Sequence, residues 1–501
     1  MLERRTPGSL LLSAMLLCAG ACAVAQAEEQ PRNVVLIIAD DLGWMDISPN
    51  NPDTFYETPN LERLARSGTR FTDAYAACPV CSPTRGSIMT GKYPARTDTT
   101  EYFCGRRQAI LKPASYQCQM PLEEVTIAEA LKDAGYATFF AGKWHLGPEG
   151  FWPEDQGFDV NRGGWQKGGP YGGKKYFSPY GNPRLEDGPA GEHLPDRLAR
   201  ETVDFMRQNR EQPFMAVLSF YSVHTPLMAP KPLVEKYTRK RQGLEPVETR
   251  WKPERERLVR QVQDHPVYAA MVESMDSAVG TVLNGLDELG LAENTIVVFF
   301  SDNGGLSTSE GHPTSNLPLR AGKGWMYEGG IREPCLVRVP GMTPPGSTCE
   351  AAITSTDFYP TFLELCGEPL RPDQHMDGIS LVPMLQDPQS PDTRKAIYWH
   401  YPHYGNQGGA PCSAIRMGDW KLIEWFEDES IELFNLAEDP GETRERSSEE
   451  PERAASMRAA LLSWREDVGA NLPRPNPDHD PASAIRHHEQ ANRSAVQGKW
   501  R

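Results

Sequence analysis

Residues 34–41 read Val-Val-Leu-Ile-Ile-Ala-Asp-Asp, six apolar residues that stop on two carboxylates. A strand with one wet face would alternate apolar and polar residues. An unbroken apolar run therefore predicts a strand buried on both faces. Ala137–Ala141, Phe214–Phe220 and Thr295–Phe300 carry the same signature. Between the runs lie segments of helical period. Thr58-Pro59 opens a helix through Arg66, Thr126–Ala134 stops at Gly135, and Val267–Leu289 is a long amphipathic helix before Gly290. Strands alternating with helices predict an α/β fold around a large, mostly parallel sheet.

The residues after each run carry the chemistry. Asp40-Asp41 follows the first, Lys143-Trp144-His145 the second, His224 the third and Asp302-Asn303-Gly304 the fourth. Open α/β sheets bind ligands outside the carboxyl ends of their strands, so four strands deliver ionisable groups to one edge. Asp40, Asp41, Asp302 and Asn303 are all oxygen donors. Clustered carboxylates repel unless a cation lies between them. Oxygen-only ligation suits Ca²⁺ or Mg²⁺, and calcium is preferred because it is abundant outside the cytoplasm. The bland reading of any single Asp here is a cap on the following turn. Lys143, His145, His224 and Lys323, the last in a Gly-rich loop, supply positive charge and proton transfer at the same edge.

The segment Cys78-Pro79-Val80-Cys81-Ser82-Pro83-Thr84-Arg85 places Cys81 at a predicted helix start. A helix N-terminus attracts anions and lowers a thiol pKa. Arg85, one turn on, faces the same spot. Two readings of Cys81 stand side by side on these residues: an activated thiol in an anion pocket, or one half of a disulfide with Cys78, Cys104 or Cys118.

The chain has 501 residues, 39% hydrophobic and 24% charged, with a net charge of −16. Those proportions are ordinary for a globular protein and exclude a disordered or fibrous chain. The acidic balance argues against nucleic acid as a partner, so an anionic substrate needs positive charge gathered locally. Residues 1–27 have the layout of a secretory signal: Arg4-Arg5, the apolar stretch Leu10–Leu17, and small-x-small sites at Ala23-Val24-Ala25 and Ala25-Gln26-Ala27. Export to the periplasm or medium is expected, with lipid anchoring through Cys22 as the second choice and no transmembrane segment. Eight cysteines lie beyond the leader, and export favours disulfides among them. No spacing of Cys or His points to zinc.

Cys81-Ser82-Pro83-Thr84-Arg85, followed by Gly91-Lys92, resembles the C-x-P-x-R signature of type I sulfatases. So do Asp40-Asp41, Gly142-Lys143-Trp144-His145, His224-Thr225-Pro226, Ser301-Asp302-Asn303-Gly304 and Gly322-Lys323-Gly324. Gly418-Asp419-Trp420-Lys421-Leu422 and Glu432-Leu433-Phe434-Asn435-Leu436 resemble the family's second, smaller sheet. The resemblance implies an alkaline-phosphatase-like fold with a C-terminal antiparallel α+β subdomain. It also implies that a separate formylglycine-generating enzyme oxidises Cys81 to formylglycine. The hydrated aldehyde attacks sulfur, the alcohol leaves, and the second hydroxyl is deprotonated to expel sulfate. Asp40, Asp41, Cys81, Asp302 and Asn303 would hold Ca²⁺. Arg85 and Lys143 would orient the diol, His145 would act as base, and His224 and Lys323 would bind sulfate and assist the leaving oxygen. A phosphate or phosphonate monoester hydrolase of the same superfamily is the alternative, and a non-catalytic glycan-binding protein the third reading.

The expected organisation is a catalytic domain over 28–375, a subdomain over 376–470 and a loose tail over 471–501. Gly163–Pro183, with Trp165, Tyr171, Tyr176 and Tyr180, reads as a sugar-stacking loop or a plain surface loop. Its Lys167, Lys174 and Lys175 are expected to favour a sulfated polysaccharide or oligosaccharide. Trp399–Tyr404 reads as a leaving-group subsite or a buried strand. His312 is a further candidate contact.

Overall fold

The 34–39 run is unbroken because both of its faces are covered. In a computed structural model, which describes residues 1–2, 31–103 and 105–496, β1 (Asn33–Ala39) is central in an eight-stranded sheet. The other strands are β2 (Thr69–Phe71), β3 (Ala137–Gly142), β4 (Val160–Arg162), β5 (Phe214–Ser219), β6 (Thr295–Ser301), β7 (Cys335–Arg338) and β8 (Ser347–Cys349). Their order is β8-β2-β7-β6-β1-β5-β3-β4. Only β7 runs antiparallel to its neighbours. Helices α1 (Pro59–Ser67), α2 (Cys81–Thr90), α3 (Ile127–Asp133), α4 (Leu194–Gln208), α5 (Pro266–Glu288) and α6 (Phe358–Leu365) surround the sheet. Val35, Ile37 and Ala39 join the core under α4 and α5. Val34, Leu36 and Ile38 join the opposite core with α3 and α6. The period of two thus feeds two cores rather than one core and solvent.

Register decides where the site forms. Ala39 lies opposite Ser301, Ile38 opposite Ser219, and Gly142 opposite Ser219. The carboxyl ends of β6, β1, β5 and β3 are therefore level, and the residues after them share one edge.

A second sheet holds β9 (Ile397–Tyr401), β10 (Cys412–Met417), β11 (Trp420–Trp425) and β12 (Ile431–Asn435), all antiparallel in chain order. One face packs on α7 (Pro451–Asp467) through Ile415, Leu422, Leu433, Leu461 and Trp464. The other meets the main body through Trp399, Tyr401, Ile423 and Phe434 against Tyr75, Trp325 and Tyr327. The described residues from Pro31 onward form one compact unit.

The loose-tail expectation is corrected over most of its length. Arg474-Pro475 pairs with Leu111-Lys112, and α8 spans Pro481–Val496. Asn492 accepts from the Leu258 N–H at 2.9 Å and donates to the Glu256 carbonyl at 3.0 Å, while Asn476 donates to Ala109 O at 2.8 Å. This segment docks partly through side-chain amides, which an apolar period does not register. Trp399 and Tyr401 lie in a buried strand, which settles their role as core. Among the described residues seven cysteines are free, Cys78, Cys81 and Cys118 included, so the expected disulfides do not appear there. The leader expected over 1–27 lies outside the described residues beyond its first two, as do Cys22 and Cys104. No described helix is long and apolar enough to cross a membrane.

Candidate active site

At the level edge, three wholly buried carboxylates converge. Asp40, Asp41 and Asp302 each bring an oxygen within 4.8 Å of the others. Each has its own cation. Lys143 Nζ donates to both Asp40 oxygens at 2.7 Å, Lys323 Nζ sits 2.7 Å from Asp41 Oδ1, and Arg85 Nε donates to Asp302 Oδ2 at 2.7 Å. Arg85 also donates to the Lys143 carbonyl at 2.7 Å and to Ser219 Oγ at 2.5 Å, which ties the helix carrying Cys81 to two strand ends. Asp41 has a φ of 62° and His145 one of 58°. Both turn the chain immediately after a strand into a region that non-glycine residues seldom occupy outside special sites.

The electrostatics follow from this crowding. Burial pushes Asp40 well above the usual carboxylate range; Lys143 opposes the rise, and Asp302 and Asp41 add to it. Burial also acts on Asp41, but Lys323 and His224 outweigh it and hold that acid low. Burial disfavours the ammonium of Lys323, yet Asp41 and Glu310 keep it protonated. A cation fits between the carboxylates. Asn303 Nδ2 donates to Asp41 Oδ1 at 2.8 Å, while its own buried Oδ1 has no partner. That orphaned oxygen beside three carboxylates is a hard-cation donor set. Cys81, the fifth expected ligand, does not join the 4.8 Å group.

Cys81 begins α2, as expected, and its Sγ lies 3.4 Å from His145 Nδ1, which also meets Ser82 Oγ at 3.0 Å. The expected lowering of the thiol pKa is corrected. Burial raises it, and the opposing pull of Lys143 and Lys323 does not cancel the rise. Burial, reinforced by Lys143 and Arg85, pushes His145 well below its usual value, so the ring is neutral and able to accept a proton. His224 Nδ1 meets the Thr225 carbonyl at 2.7 Å, which assigns the hydrogen to that nitrogen. Its Nε2 lies 3.8 Å from Asp41 and 3.9 Å from Glu310. Burial and Lys323 lower His224, against the pull of Asp41.

Cys81, His145, His224 and Lys323 line a cleft of about 650 Å³. Arg85 and Lys143 lie behind it, almost wholly buried. All six expected catalytic residues are thus brought together. Of the Gly163–Pro183 aromatics, Tyr171 lines the cleft and is 52% exposed, whereas Trp165, Tyr176 and Tyr180 are core. Lys167 lines the cleft; Lys174, Lys175 and His312 do not. Sequence reasoning missed Glu310, Asn406 and Gln407, which form one wall. The available signal for Glu310 was a lone acid in the otherwise uncharged stretch 303–311.

Comparison with known proteins identifies the family. The family model described as Sulfatase matches residues 32–368. The one described as N-sulphoglucosamine sulphohydrolase, C-terminal, matches residues 321–465. A sulfatase of Formosa agariphila is 32% identical over 91% of this chain and 92% of its own length. Arylsulfatase A of Homo sapiens is 34% identical over 83% of this chain and 77% of its own. The crystal structure of Ps i-CgsB in complex with k-i-k-neocarrahexaose is 27% identical, with a TM-score of 0.72, over 94% of this chain and 100% of that one. The chain belongs to the type I sulfatase family and is a sulfuric ester hydrolase.

Proposed function

We propose that the protein removes sulfate from sulfated poly- or oligosaccharides, using an oxidised Cys81 and a Ca²⁺ ion. The observation that carries this reading is the position of Cys81: on a helix start, 3.4 Å from a neutral histidine, in a cleft lined by Lys323 and close to three buried carboxylates, each paired with its own cation. Oxidation of Cys81 to formylglycine supplies a hydrated aldehyde as nucleophile, and a divalent ion held by Asp40, Asp41, Asp302 and Asn303 supplies polarisation of a sulfate oxygen.

The chain's own residues do the rest. Lys323 holds sulfate oxygens at the cleft wall, beside His224. Arg85 and Lys143, fixed by their carboxylates, orient residue 81 and meet developing negative charge without rearranging. His145, kept neutral by burial, takes a proton from residue 81 through Nδ1. The leaving oxygen takes its proton from Lys323, which Asp41 and Glu310 keep protonated; His224, with its hydrogen on Nδ1, turns Nε2 toward the same spot as an acceptor. Tyr171 and Phe103 flank the two histidines, with ring centroids 6.2 Å from His224 and 6.3 Å from His145, and offer apolar faces to a sugar. The oligosaccharide bound to Ps i-CgsB supports a carbohydrate substrate. The signal-like layout of residues 1–27 supports export, where calcium is available, and a formylglycine-generating enzyme would act on the chain before it folds.

The test is a sulfate-release screen over defined monosulfated galactosides and glucosaminides, with para-nitrophenyl sulfate and phosphate alongside. Turnover of one or more sugars, with formylglycine at residue 81 by peptide mass, is expected. An unmodified thiol at residue 81 in active protein overturns the mechanism. Phosphate hydrolysis exceeding sulfate hydrolysis overturns the reaction.

A further inference from the structure

Glu310 presents half of its carboxylate to the cleft. Oε1 accepts from Asn406 Nδ2 at 2.8 Å and from Gln407 Nε2 at 2.7 Å. Oε2 has Thr225 Oγ1 at a marginal 3.5 Å and His224 Nε2 at 3.9 Å, so its lone pairs stay open on the cleft side. Asn406 and Gln407 belong to the loop between β9 and β10, so the second sheet aims this acid. Burial raises its pKa, but Lys323, His224 and the two amides outweigh that and bring it to about 2. The group is a fixed anion.

An anion on the wall of a sulfate site works against the ester it flanks unless it meets a different part of the substrate. A carboxylate accepts strongly from a hydroxyl. The same carboxylate repels a second sulfate at close range, most of all where water is excluded. Its place beside Lys323 and His224 puts it next to the scissile group and not at a distant subsite.

We infer that Glu310 reads the carbon next to the sulfated one: Oε2 accepts from a free hydroxyl there and excludes a second anionic substituent. The preferred substrate is then a sugar whose sulfate has an unsubstituted hydroxyl neighbour. This rests on the carbohydrate reading above.

The experiment compares wild type with Glu310→Gln and Glu310→Asp. The probes are the monosulfated galactoside turned over best and the same sugar with a second sulfate on the adjacent carbon. Wild type should prefer the monosulfate at least tenfold in kcat/KM. Glu310→Gln should narrow that preference by about tenfold, mainly through KM, with Glu310→Asp intermediate. A wild type indifferent to the second sulfate overturns the inference whether or not the variants fold. So does an unmoved preference in a folded variant. Equal losses on both sugars and on para-nitrophenyl sulfate overturn it too, making Glu310 only a support for His224. Turnover of para-nitrophenyl sulfate but of no sugar fails the carbohydrate reading itself, and this inference falls with it.

Discussion

Gly168 leaves room for the His145 ring, and filling that room should separate catalysis from stability. A Cβ on Gly168 would lie 2.5 Å from His145 Cε1 and 2.9 Å from each ring nitrogen. Nonbonded carbons rest at about 3.5–4.0 Å, so Gly168→Ala must drive the ring back by roughly 1 Å. The ring has little freedom to absorb this. Ser82 Oγ holds Nδ1 at 3.0 Å, and the Phe103 ring stands edge-on to it. The shift therefore falls on the contact with residue 81. A misplacement of about 1 Å in a proton-transferring group costs on the order of 100-fold in rate, or about 2.7 kcal/mol in the barrier.

Gly168 has no positive φ, so alanine brings no left-handed backbone strain. The fold should hold, with a melting temperature within about 3 °C of wild type. The assay is kcat on para-nitrophenyl sulfate, with peptide mass confirming equal oxidation of residue 81. Activity within threefold of wild type at equal oxidation refutes the argument. Parallel loss of activity and melting temperature refutes it equally, since the effect would then be on folding.

Other outcomes follow from the same geometry. Lys167→Ala should weaken sugar turnover several-fold, whereas the pair Lys174→Ala and Lys175→Ala should not, because only Lys167 lines the cleft; equal effects would count against this assignment. Lys421 Nζ lies 2.9 Å from both Glu328 and Glu442, all three wholly buried. Stranding such acids costs about 3–5 kcal/mol, so Lys421→Met should lose about 3 kcal/mol in urea unfolding, Tyr75 and Arg332 still holding Glu328; a loss below about 1 kcal/mol contradicts it. Burial pushes Glu101 up to about 8 against hydrogen bonds from Tyr102 and Tyr401. Its raised pKa makes wild-type stability fall as pH rises from about 5 to about 8, and Glu101→Gln should remove up to about 4 kcal/mol of that fall; parallel pH profiles would sink the claim. Chelation should lower the melting temperature by several degrees and calcium restore it; a melting temperature indifferent to chelator speaks against a bound ion.

The fold was legible where residues act in periods. Val34–Ala39 announced a doubly covered strand, and four strand ends announced the edge on which Asp40, Lys143, His224 and Asp302 meet. Longer-range properties were not legible. Trp165, Tyr176 and Tyr180 look like sugar platforms in sequence, yet the loop folds back and uses them as core, leaving Tyr171 alone in the cleft. The helix start at Cys81 was read correctly and its electrostatic consequence was not, because burial outweighs the cations beside the thiol. Glu310 stood out only as a lone acid, and its role was not legible because its partners, Asn406 and Gln407, lie almost one hundred residues away on a loop of the second sheet.

Charge balance in the cleft ties these residues to the choice of ester. With Asp40 counted as ionised because Lys143 donates to both of its oxygens, Asp40, Asp41, Asp302 and Glu310 face Arg85, Lys143 and Lys323, which leaves one negative charge with both histidines neutral. A divalent ion among the carboxylates would turn this into one positive charge. A sulfate monoester carries a single negative charge and neutralises it; a fully ionised phosphate monoester carries two and overshoots. In a buried site an uncompensated charge is expensive, so the balance favours sulfate, and Glu310 is the residue that sets it. Without that acid the same pocket would stand at two positive charges and suit the phosphate dianion instead.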